Sequence, residues 1–168
     1  MSQEYFDVCT IDRDYLGKTA PRGIDLPNGE YHVVVMGVIT NQEGKLLLAR
    51  RSASKIGAPG KWECSAGSVL AGETSAAAIV REIREELGLE LSSGPGPVAW
   101  FIEGDAIFDV WGFTTGMRIG DLTLDSAEVD EAKFVTFGEL KRIHAEDEGT
   151  NSLAEVIRLV ESGKLLVS

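Results

Sequence analysis

The stretch at residues 67–89, GSVLAGETSAAAIVREIREELGL, decides the fold and points to the chemistry of this chain. Its second half, residues 74–87, predicts an α-helix, because apolar side chains recur at helical spacing and Gly88 follows where a C-terminal cap belongs. The residues of this apolar stripe are Ala76, Val80, Ile83 and Leu87. The stripe predicts that one face of the helix packs on a core.

Three glutamates lie on a different face of the same helix. At about 100° per residue, Glu82, Glu85 and Glu86 share an arc of about 100°, centred roughly 140° from the apolar stripe. Neighbouring carboxylates repel one another, and a divalent cation between them would reverse that destabilisation. Ligation by oxygen alone suits hard ions, so Mg²⁺ is the first candidate and Mn²⁺ the second. Considered alone, the helix also allows a solvated acidic face partnered by Arg81 and Arg84.

The loop before the helix extends the pattern. Five residues separate Gly67 from Glu73, and seven more separate Glu73 from Arg81, after which the three glutamates and Gly88 follow. This arrangement resembles the Nudix box, G-x5-E-x7-R-E-U-x-E-E-x-G-U, where U is a bulky aliphatic residue, and every defined position matches. The resemblance implies the Nudix fold, an α+β architecture in which a mixed β-sheet is sandwiched between helices (α/β/α).

The resemblance also assigns roles to residues of the box by position. The carboxylates implied as metal ligands are Glu82, Glu85 and Glu86. The backbone carbonyl of Ala66 is implied as a further ligand, and Arg81 and Glu73 as a supporting pair that orients the carboxylates. The family's reaction is attack by water on one phosphorus of a diphosphate, with metal ions neutralising charge and a carboxylate as general base. Glu82 and Glu85 are candidates for that base.

Residues outside the box are candidates for the same site. A general base from a later loop would come from Glu128, Asp130 or Glu131, although these also suit an ordinary acidic loop. Three cations near the end of a predicted strand are candidates to bind the phosphates, although arginines at a strand end also suit simple solvation; they are Arg50, Arg51 and Lys55. The preferred substrate is a nucleoside diphosphate, or a nucleoside diphosphate linked to a small group.

The chain resembles in particular the Nudix branch related to isopentenyl-diphosphate isomerase, through the segment FDVCTIDRDYLGKTAPRG at residues 6–23 among others. That branch suggests isomerisation as a rival activity. Type 1 isomerases place a catalytic cysteine where this chain has Ala66, and Cys64 lies two residues earlier. The branch's Gly-His pair is here Gly67-Ser68, and the box is complete, so hydrolysis is favoured. A module that senses a nucleotide without cutting it is the other alternative.

Around the box the sequence predicts a set of strands and helices. The predicted strands cover residues 31–40, 45–51 and 129–137, a short segment near 62–65, and one or two segments within 98–113; the further helices cover 138–144 and 152–161. This order predicts a mixed sheet covered by helices. We divide the chain into an N-terminal extension, residues 1–30, with a β-hairpin in residues 5–16, and a main domain, residues 31–168.

Composition narrows the class of protein. With 43% hydrophobic and 26% charged residues, the chain suits a globular protein. No segment approaches the roughly 18 apolar residues that cross a bilayer, and the acidic N-terminus does not resemble a signal peptide, so a cytoplasmic location is expected. Cys9 and Cys64, with His32 and His144, show no zinc-ligand spacing.

The net charge of −11 bears on binding partners. Nucleic-acid binders carry a basic footprint that displaces counterions from phosphates, and this chain shows none. It also has no basic amphipathic stretch that would bind anionic lipid. The expected partner is therefore a small diphosphate brought in with cations. A homodimer is allowed, but no residue pattern indicates its interface.

Overall fold

A mixed β-sheet forms the centre of the computed structural model, which describes residues 3–168. Two strands form a separate N-terminal hairpin, β1 (Tyr5–Cys9) and β2 (Tyr15–Pro21). The seven strands of the main sheet are β3 (His32–Asn41), β4 (Leu46–Arg51), β5 (Trp62–Glu63), β6 (Ser65–Ser68), β7 (Ala99–Glu103), β8 (Ala106–Thr115) and β9 (Val129–Val135). The helices are α1 (Ser75–Leu87), α2 (Phe137–Ala145) and α3 (Ser152–Glu161). The predicted α+β fold is confirmed.

The pairing of β3 decides how the sheet is assembled. β3 runs parallel to β8 along its whole length, from His32 beside Ala106 to Asn41 beside Thr115. It runs antiparallel to β4 and to β6, while β4 pairs antiparallel with β5 and β9. β7 pairs antiparallel with β8 at one edge. The predicted segment near 62–65 is therefore two short strands on different neighbours, and the segment 98–113 is a hairpin.

The two faces of the sheet are buried under different helices, which explains the continuous apolar runs of β3 and β4. On β3, Val35 and Ile39 face one apolar cluster, which includes Ile79 and Ile83 of α1. Met36 and Val38 face a second cluster formed with residues of α2 and α3. Alternate side chains of one strand thus reach opposite layers. None of the helices in residues 3–168 has the length and apolar character needed to cross a membrane.

Helix α1 has the predicted ends but a shifted buried face. The Thr74 hydroxyl accepts a hydrogen bond from the Ala77 N–H at 3.2 Å, and Gly88 closes the helix with a left-handed φ of 66°. The fully buried apolar residues are Ala78, Ile79, Ile83 and Leu87, whereas Ala76 and Val80 are only partly buried. The predicted stripe therefore does pack on a core, but the fully buried part of the face is shifted toward Ala78 and Ile79. This buried part of the face packs closely on Gly37 of β3, where an added Cβ would lie 3.0 Å from Ile83 and 3.3 Å from Ile79.

The N-terminal hairpin is present but longer than predicted. Tyr5, Phe6 and Asp7 pair with Pro21, Ala20 and Thr19. The second strand of the hairpin therefore continues to Pro21, beyond the predicted end at residue 16. The Ala71 N–H donates to the Tyr5 carbonyl at 2.9 Å, which ties the hairpin to the loop before α1. The division of the chain at residues 30 and 31 stays a prediction.

Candidate active site

A polar cavity of about 190 Å³ lies beside the C-terminal half of α1. Its acidic lining comes from Glu4, Glu82, Glu85, Glu86, Asp125 and Glu128. Its other lining residues are Arg22, Arg51, Lys55, Arg81 and Ala66. The acid cavity, as we call it, thus brings the three predicted metal-binding glutamates together with residues from the hairpin, from the loop after β4 and from the loop before β9.

Arg81 organises the acids of the box. Its guanidinium donates two hydrogen bonds of 2.8 Å to the two oxygens of Glu73. It also donates to Glu82 Oε1 at 2.7 Å and to Glu85 Oε2 at 3.3 Å. A further bond of 3.1 Å reaches the Ser68 carbonyl in β6. Arg81 therefore connects both halves of the box, the arrangement expected of a residue that orients carboxylates.

Opposing effects act on the pKa of Glu73 and Glu82. Burial raises the pKa of Glu73, but its hydrogen bonds with Arg81 and with the Leu70 N–H outweigh burial and leave the pKa lowered. For Glu82 burial is the larger effect, and its pKa stays raised despite the charge of Arg81. Glu73 is therefore held as a structural anion, while Glu82 would be stabilised by additional positive charge.

Glu86 is the most buried acid of the cavity, with 8% of its surface exposed. Desolvation by burial raises its pKa to about 8, and the nearby charges of Glu82 and Glu63 act in the same direction. The Ser65 hydroxyl donates a hydrogen bond to Glu86 and partly opposes the rise. A carboxylate in this position gains most from a bound cation, which would keep it ionised.

Gly67 leaves the space that the Glu82 carboxylate occupies. A Cβ built on Gly67 would lie 2.0 Å from Glu82 Cδ and 2.1 Å from Oε1. Ser65 and Gly67 belong to β6, which contacts α1. The absence of a side chain at residue 67 thus lets the strand and the carboxylate face of the helix approach each other.

The donor set fits a hard divalent cation. Carboxylates and the backbone of Ala66 offer only oxygen ligands, which suit Mg²⁺ or Mn²⁺. Within residues 3–168, no three acidic, histidine or cysteine side chains already converge as a ligand group. In the structure Arg81 holds Glu82 and Glu85, and the Ser65 hydroxyl bonds Glu86. Binding a cation would therefore require these carboxylates to turn from their present hydrogen-bond partners toward the ion.

A larger cavity of about 590 Å³ adjoins the acid cavity, and we call it the substrate cavity. Arg22, Arg51 and Ala66 line both. The other lining residues include His32, Lys61, Glu63, Phe108, Asn151 and Ser152. The volume lies within the range of sites for small molecules, roughly 300–1,000 Å³. Most of the named side chains can donate or accept hydrogen bonds, so the cavity suits a polar group.

The three cations predicted outside the box lie in different places relative to the cavities. Arg51 donates to Glu63 Oε1 and to the Gly57 carbonyl, both at 2.7 Å, and lines both cavities. Lys55 pairs with Glu128 in the acid cavity. Arg50 instead contacts Glu131 at 3.2 Å. Arg50 does not line either of the two cavities.

The three acids predicted from the later loop, Glu128, Asp130 and Glu131, also differ in whether they line the acid cavity. Glu128 lines the acid cavity. Asp130 accepts a hydrogen bond from the Ala53 N–H at 3.2 Å, and Glu131 faces Arg50. The structure therefore brings one of the three, Glu128, to the carboxylates of the box.

Sequence reasoning missed several residues that line the cavities. Arg22 comes from the end of the N-terminal hairpin, and His32 begins β3, where burial lowers the pKa of its imidazole. Lys61 and Glu63 flank Trp62 of β5. The resemblance of residues 6–23 to the isomerase branch includes Arg22. No spacing rule connects His32, Lys61 or Glu63 to the box.

The comparisons with known proteins agree with this geometry. A family model described as the NUDIX domain matches residues 30–160. An uncharacterised Nudix hydrolase of Listeria monocytogenes is 39% identical over 148 residues, covering 86% of this chain and 87% of that protein. The isopentenyl-diphosphate Delta-isomerase of Streptomyces avermitilis is 29% identical over 132 residues, covering 72% of this chain and 65% of that protein.

The solved structure of DR0079 from Deinococcus radiodurans has the same architecture. It matches with a TM-score of 0.77 and 27% identity, covering 92% of this chain and 98% of that chain. The chain belongs to the Nudix hydrolase family. Enzymes of this family hydrolyse diphosphate bonds and generally use a divalent metal ion.

Proposed function

We propose that the protein is a Mg²⁺-dependent hydrolase that cleaves the diphosphate bond of a nucleoside diphosphate, or of a nucleoside diphosphate linked to a small group. The observation that carries the proposal is the junction of the two cavities at Arg51 and Ala66. A diphosphate at this junction would have its reacting phosphorus beside the carboxylates and its remaining group in the substrate cavity. The polar lining of that cavity favours a group that forms hydrogen bonds.

The proposed roles follow the box. Glu82, Glu85 and Glu86 would hold Mg²⁺, or Mn²⁺ in its place, together with the Ala66 carbonyl. When bound, the ion neutralises the diphosphate and lowers the pKa of the attacking water. Arg81 and Glu73 hold the carboxylates in position, and Arg51 and Lys55 bind phosphate oxygens. We leave Arg50 out of the proposed site, because it faces Glu131 on the sheet.

Phosphate release from a panel of nucleoside diphosphates, nucleotide sugars, ADP-ribose and coenzyme A tests the proposal. Each compound is incubated with and without Mg²⁺ or Mn²⁺, using the wild type, Glu85→Gln and the control Glu161→Gln, an exposed residue at the end of α3. We expect turnover that needs the metal and falls at least ~10²-fold in Glu85→Gln alone. Tight metal-dependent binding of one compound without turnover would instead indicate a nucleotide sensor.

The general base is proposed to be Glu128, Glu82 or Glu85, all of which line the acid cavity. General-base catalysis contributes roughly 10²–10⁴-fold. A fall of kcat by ~10²-fold or more in Glu128→Gln, with unchanged affinity for Mg²⁺, assigns the base to Glu128. An unchanged kcat in Glu128→Gln would leave Glu82 and Glu85 of the box as the candidates for the general base.

Isomerisation is the rival activity that the similarity to isopentenyl-diphosphate isomerases raises. The cysteine nearest to the expected position, Cys64, is fully buried, and desolvation raises the pKa of its thiol to about 12. A thiol in this state is a poor acid or nucleophile at neutral pH. This observation favours hydrolysis, and incubation with isopentenyl diphosphate tests the rival directly.

A further inference from the structure

Arg22 occupies a position between the two cavities that the box does not account for. It follows β2 directly, and it lines both the acid cavity and the substrate cavity. Its guanidinium donates to Glu4 Oε2 at 2.7 Å, and its backbone N–H donates to the Glu4 carbonyl at 2.9 Å. Arg22 is thus held at the site by a residue of its own hairpin.

Three cations that line the acid cavity from outside the box, Arg22, Arg51 and Lys55, differ in how exposed they are and in the partners that hold them. The Arg51 side chain is 19% exposed and donates to Glu63 and to the Gly57 carbonyl. The Lys55 side chain is 20% exposed and pairs with Glu128. The Arg22 side chain is 50% exposed, and its partner Glu4 is itself 42% exposed. Of these three cations, Arg22 exchanges its carboxylate partner for a ligand at the lowest cost, since both groups are already half in water.

The hairpin is fastened to the loop that precedes α1, so Arg22 has a defined place relative to the box. The Tyr5 carbonyl accepts from the Ala71 N–H at 2.9 Å, and Asp7 Oδ2 accepts from the Gly72 N–H at 2.9 Å. Both residues lie on β1, the strand that pairs with β2. A guanidinium carried by this hairpin is therefore positioned by the same loop that leads into the carboxylates.

We propose that Arg22 binds a phosphate of the substrate at the junction of the two cavities, and that the N-terminal hairpin is thereby part of the active site. In the free protein Glu4 holds the guanidinium in place, and the phosphate replaces the Glu4 carboxylate as its partner. A planar guanidinium matches two phosphate oxygens, which a lysine does not. The inference rests on the proposed hydrolysis of a diphosphate, and it names a residue that the Nudix box does not contain.

Calorimetric titration with methylenediphosphonate, a diphosphate analogue that is not hydrolysed, tests the inference in the presence of Mg²⁺. The full chain is used as wild type, Arg22→Ala, Arg22→Lys, Glu4→Gln and the control Arg118→Ala, a surface arginine paired with Asp121. A charge-assisted hydrogen bond contributes about 1.5–3 kcal/mol, so Arg22→Ala is expected to weaken binding roughly 10- to 100-fold. The affinity of Arg22→Lys for the analogue should fall between those of the wild type and Arg22→Ala, and the affinity of Arg118→Ala should match that of the wild type.

Glu4→Gln separates direct binding from a structural role, because it breaks the same ion pair and leaves Arg22 in place. We expect Glu4→Gln to bind the analogue at least as tightly as the wild type. Weakening as large as that of Arg22→Ala would overturn the inference, as would wild-type affinity in Arg22→Ala or no binding by the wild type. Thermal unfolding of each variant checks the fold, and Arg22→Lys keeps the charge if Arg22→Ala is unstable.

The outcome is distinguishable from failure of the proposed hydrolase. Metal-dependent binding of the analogue that requires Arg22, with no turnover of any compound in the panel, would support the inference and contradict hydrolysis. Turnover by the wild type, with binding that is insensitive to Arg22→Ala, would contradict the inference and leave the hydrolase intact.

Discussion

At the scale of single residues, the site depends on two opposite requirements on space. Gly67 leaves room for the Glu82 carboxylate, whereas the Glu86 side chain is closely surrounded, with 8% of its surface exposed. Arg81 stands between the acids and bonds Glu73, Glu82 and Glu85. Each of these features sets the position or the environment of a carboxylate of the site.

Gly67→Ala is expected to preserve the fold and damage the site. The added Cβ would lie 2.0 Å from Glu82 Cδ, but the carboxylate ends a flexible side chain and can rotate away. Because a displacement of about 1 Å in a catalytic group costs ~10²-fold in rate, we expect that loss in kcat with little change in the thermal midpoint. Steady-state kinetics measures kcat, and thermal unfolding measures the midpoint. Gly94→Ala, in open space, is the matched control, and full activity of Gly67→Ala would contradict the role of this contact.

Glu86 should make the metal-free protein less stable as the pH rises. Its pKa is raised to about 8 in the folded chain, from an unfolded value of about 4.5. Between these values the folded chain binds a proton that the unfolded chain does not, so this contribution to stability is complete below the lower pKa and is lost as pH rises through the upper one. Between pH 5 and 7 the loss should be on the order of 2 kcal/mol.

The measurement is the free energy of unfolding in urea with EDTA at several pH values, for the wild type and Glu86→Gln. The difference between the two proteins isolates Glu86 from the other acids. Glu86→Gln should flatten the slope between pH 5 and 7. Parallel pH profiles of the two proteins would show that Glu86 is not the cause.

At the scale of elements, the hairpin β1–β2 and helix α1 are joined by a buried polar network. Asp109 of β8 is 2% exposed and accepts from Arg13 at 3.1 Å and from the Ser75 hydroxyl at 2.6 Å. The Trp111 indole N–H donates to the same hydroxyl at 3.1 Å. The network therefore connects the turn of the hairpin, the first residue of α1 and the strand β8.

Arg13→Ala should loosen the hairpin, because it leaves the Asp109 carboxylate buried without its cation. Breaking a buried pair costs about 3–5 kcal/mol. We expect nearer 2 kcal/mol here, since the Arg13 side chain is 39% exposed. Urea unfolding gives the free energy, and hydrogen exchange should show faster exchange in residues 5–21. The double variant Arg13→Ala with Asp109→Asn should recover part of the lost free energy of unfolding. A loss below about 0.5 kcal/mol in Arg13→Ala would show that the ion pair does not hold the hairpin.

At the scale of the whole molecule, the net charge of −11 includes a concentration of acids at the proposed site. Among the described residues, six acids line the acid cavity, against four cations. A diphosphate would enter such a site only with a cation to neutralise the carboxylates. Metal binding is thus expected to contribute to stability as well as to catalysis, because the same repulsion acts in the free protein.

Mg²⁺ should stabilise the folded protein beyond a general salt effect. A ligand at 100 times its Kd stabilises by about 2.7 kcal/mol. The midpoint of thermal unfolding is measured in MgCl₂ and in NaCl of equal ionic strength, for the wild type and Glu85→Gln. We expect a larger rise with Mg²⁺ in the wild type and a reduced difference in Glu85→Gln. Equal rises in the two salts would indicate screening of the net charge and no specific site.

Much of this architecture was predictable from neighbouring residues. The course of α1 followed from its apolar spacing and its end from Gly88, and the strands followed from apolar runs such as residues 31–40, because capping and periodicity are properties of adjacent positions. Helical periodicity predicted that Glu82, Glu85 and Glu86 share one face, and they line one cavity. Local spacing carries this information because a helix repeats every few residues regardless of what it packs against.

Contacts between distant segments required the tertiary structure. Ile79 and Ile83 of α1 pack closely on Gly37 of β3, a contact between segments that are far apart in the sequence. Of the three later acids, Glu128 in the loop before β9 lines the acid cavity, whereas Asp130 and Glu131 of β9 do not. Of the two adjacent arginines, Arg51 lines it and Arg50 does not. Arg22 reaches the site because β1 pairs with β2 and bonds to the loop before α1.

The sequence by itself thus determined the fold class, the helix with its three carboxylates and the kind of ion they suit. The tertiary structure alone decided which cations and which later acid join them, and that the substrate cavity adjoins the acid cavity. The physical reason is that helix periodicity and capping act between adjacent residues. The junction of the cavities instead depends on pairings such as that of β3 with β8, which local spacing does not specify.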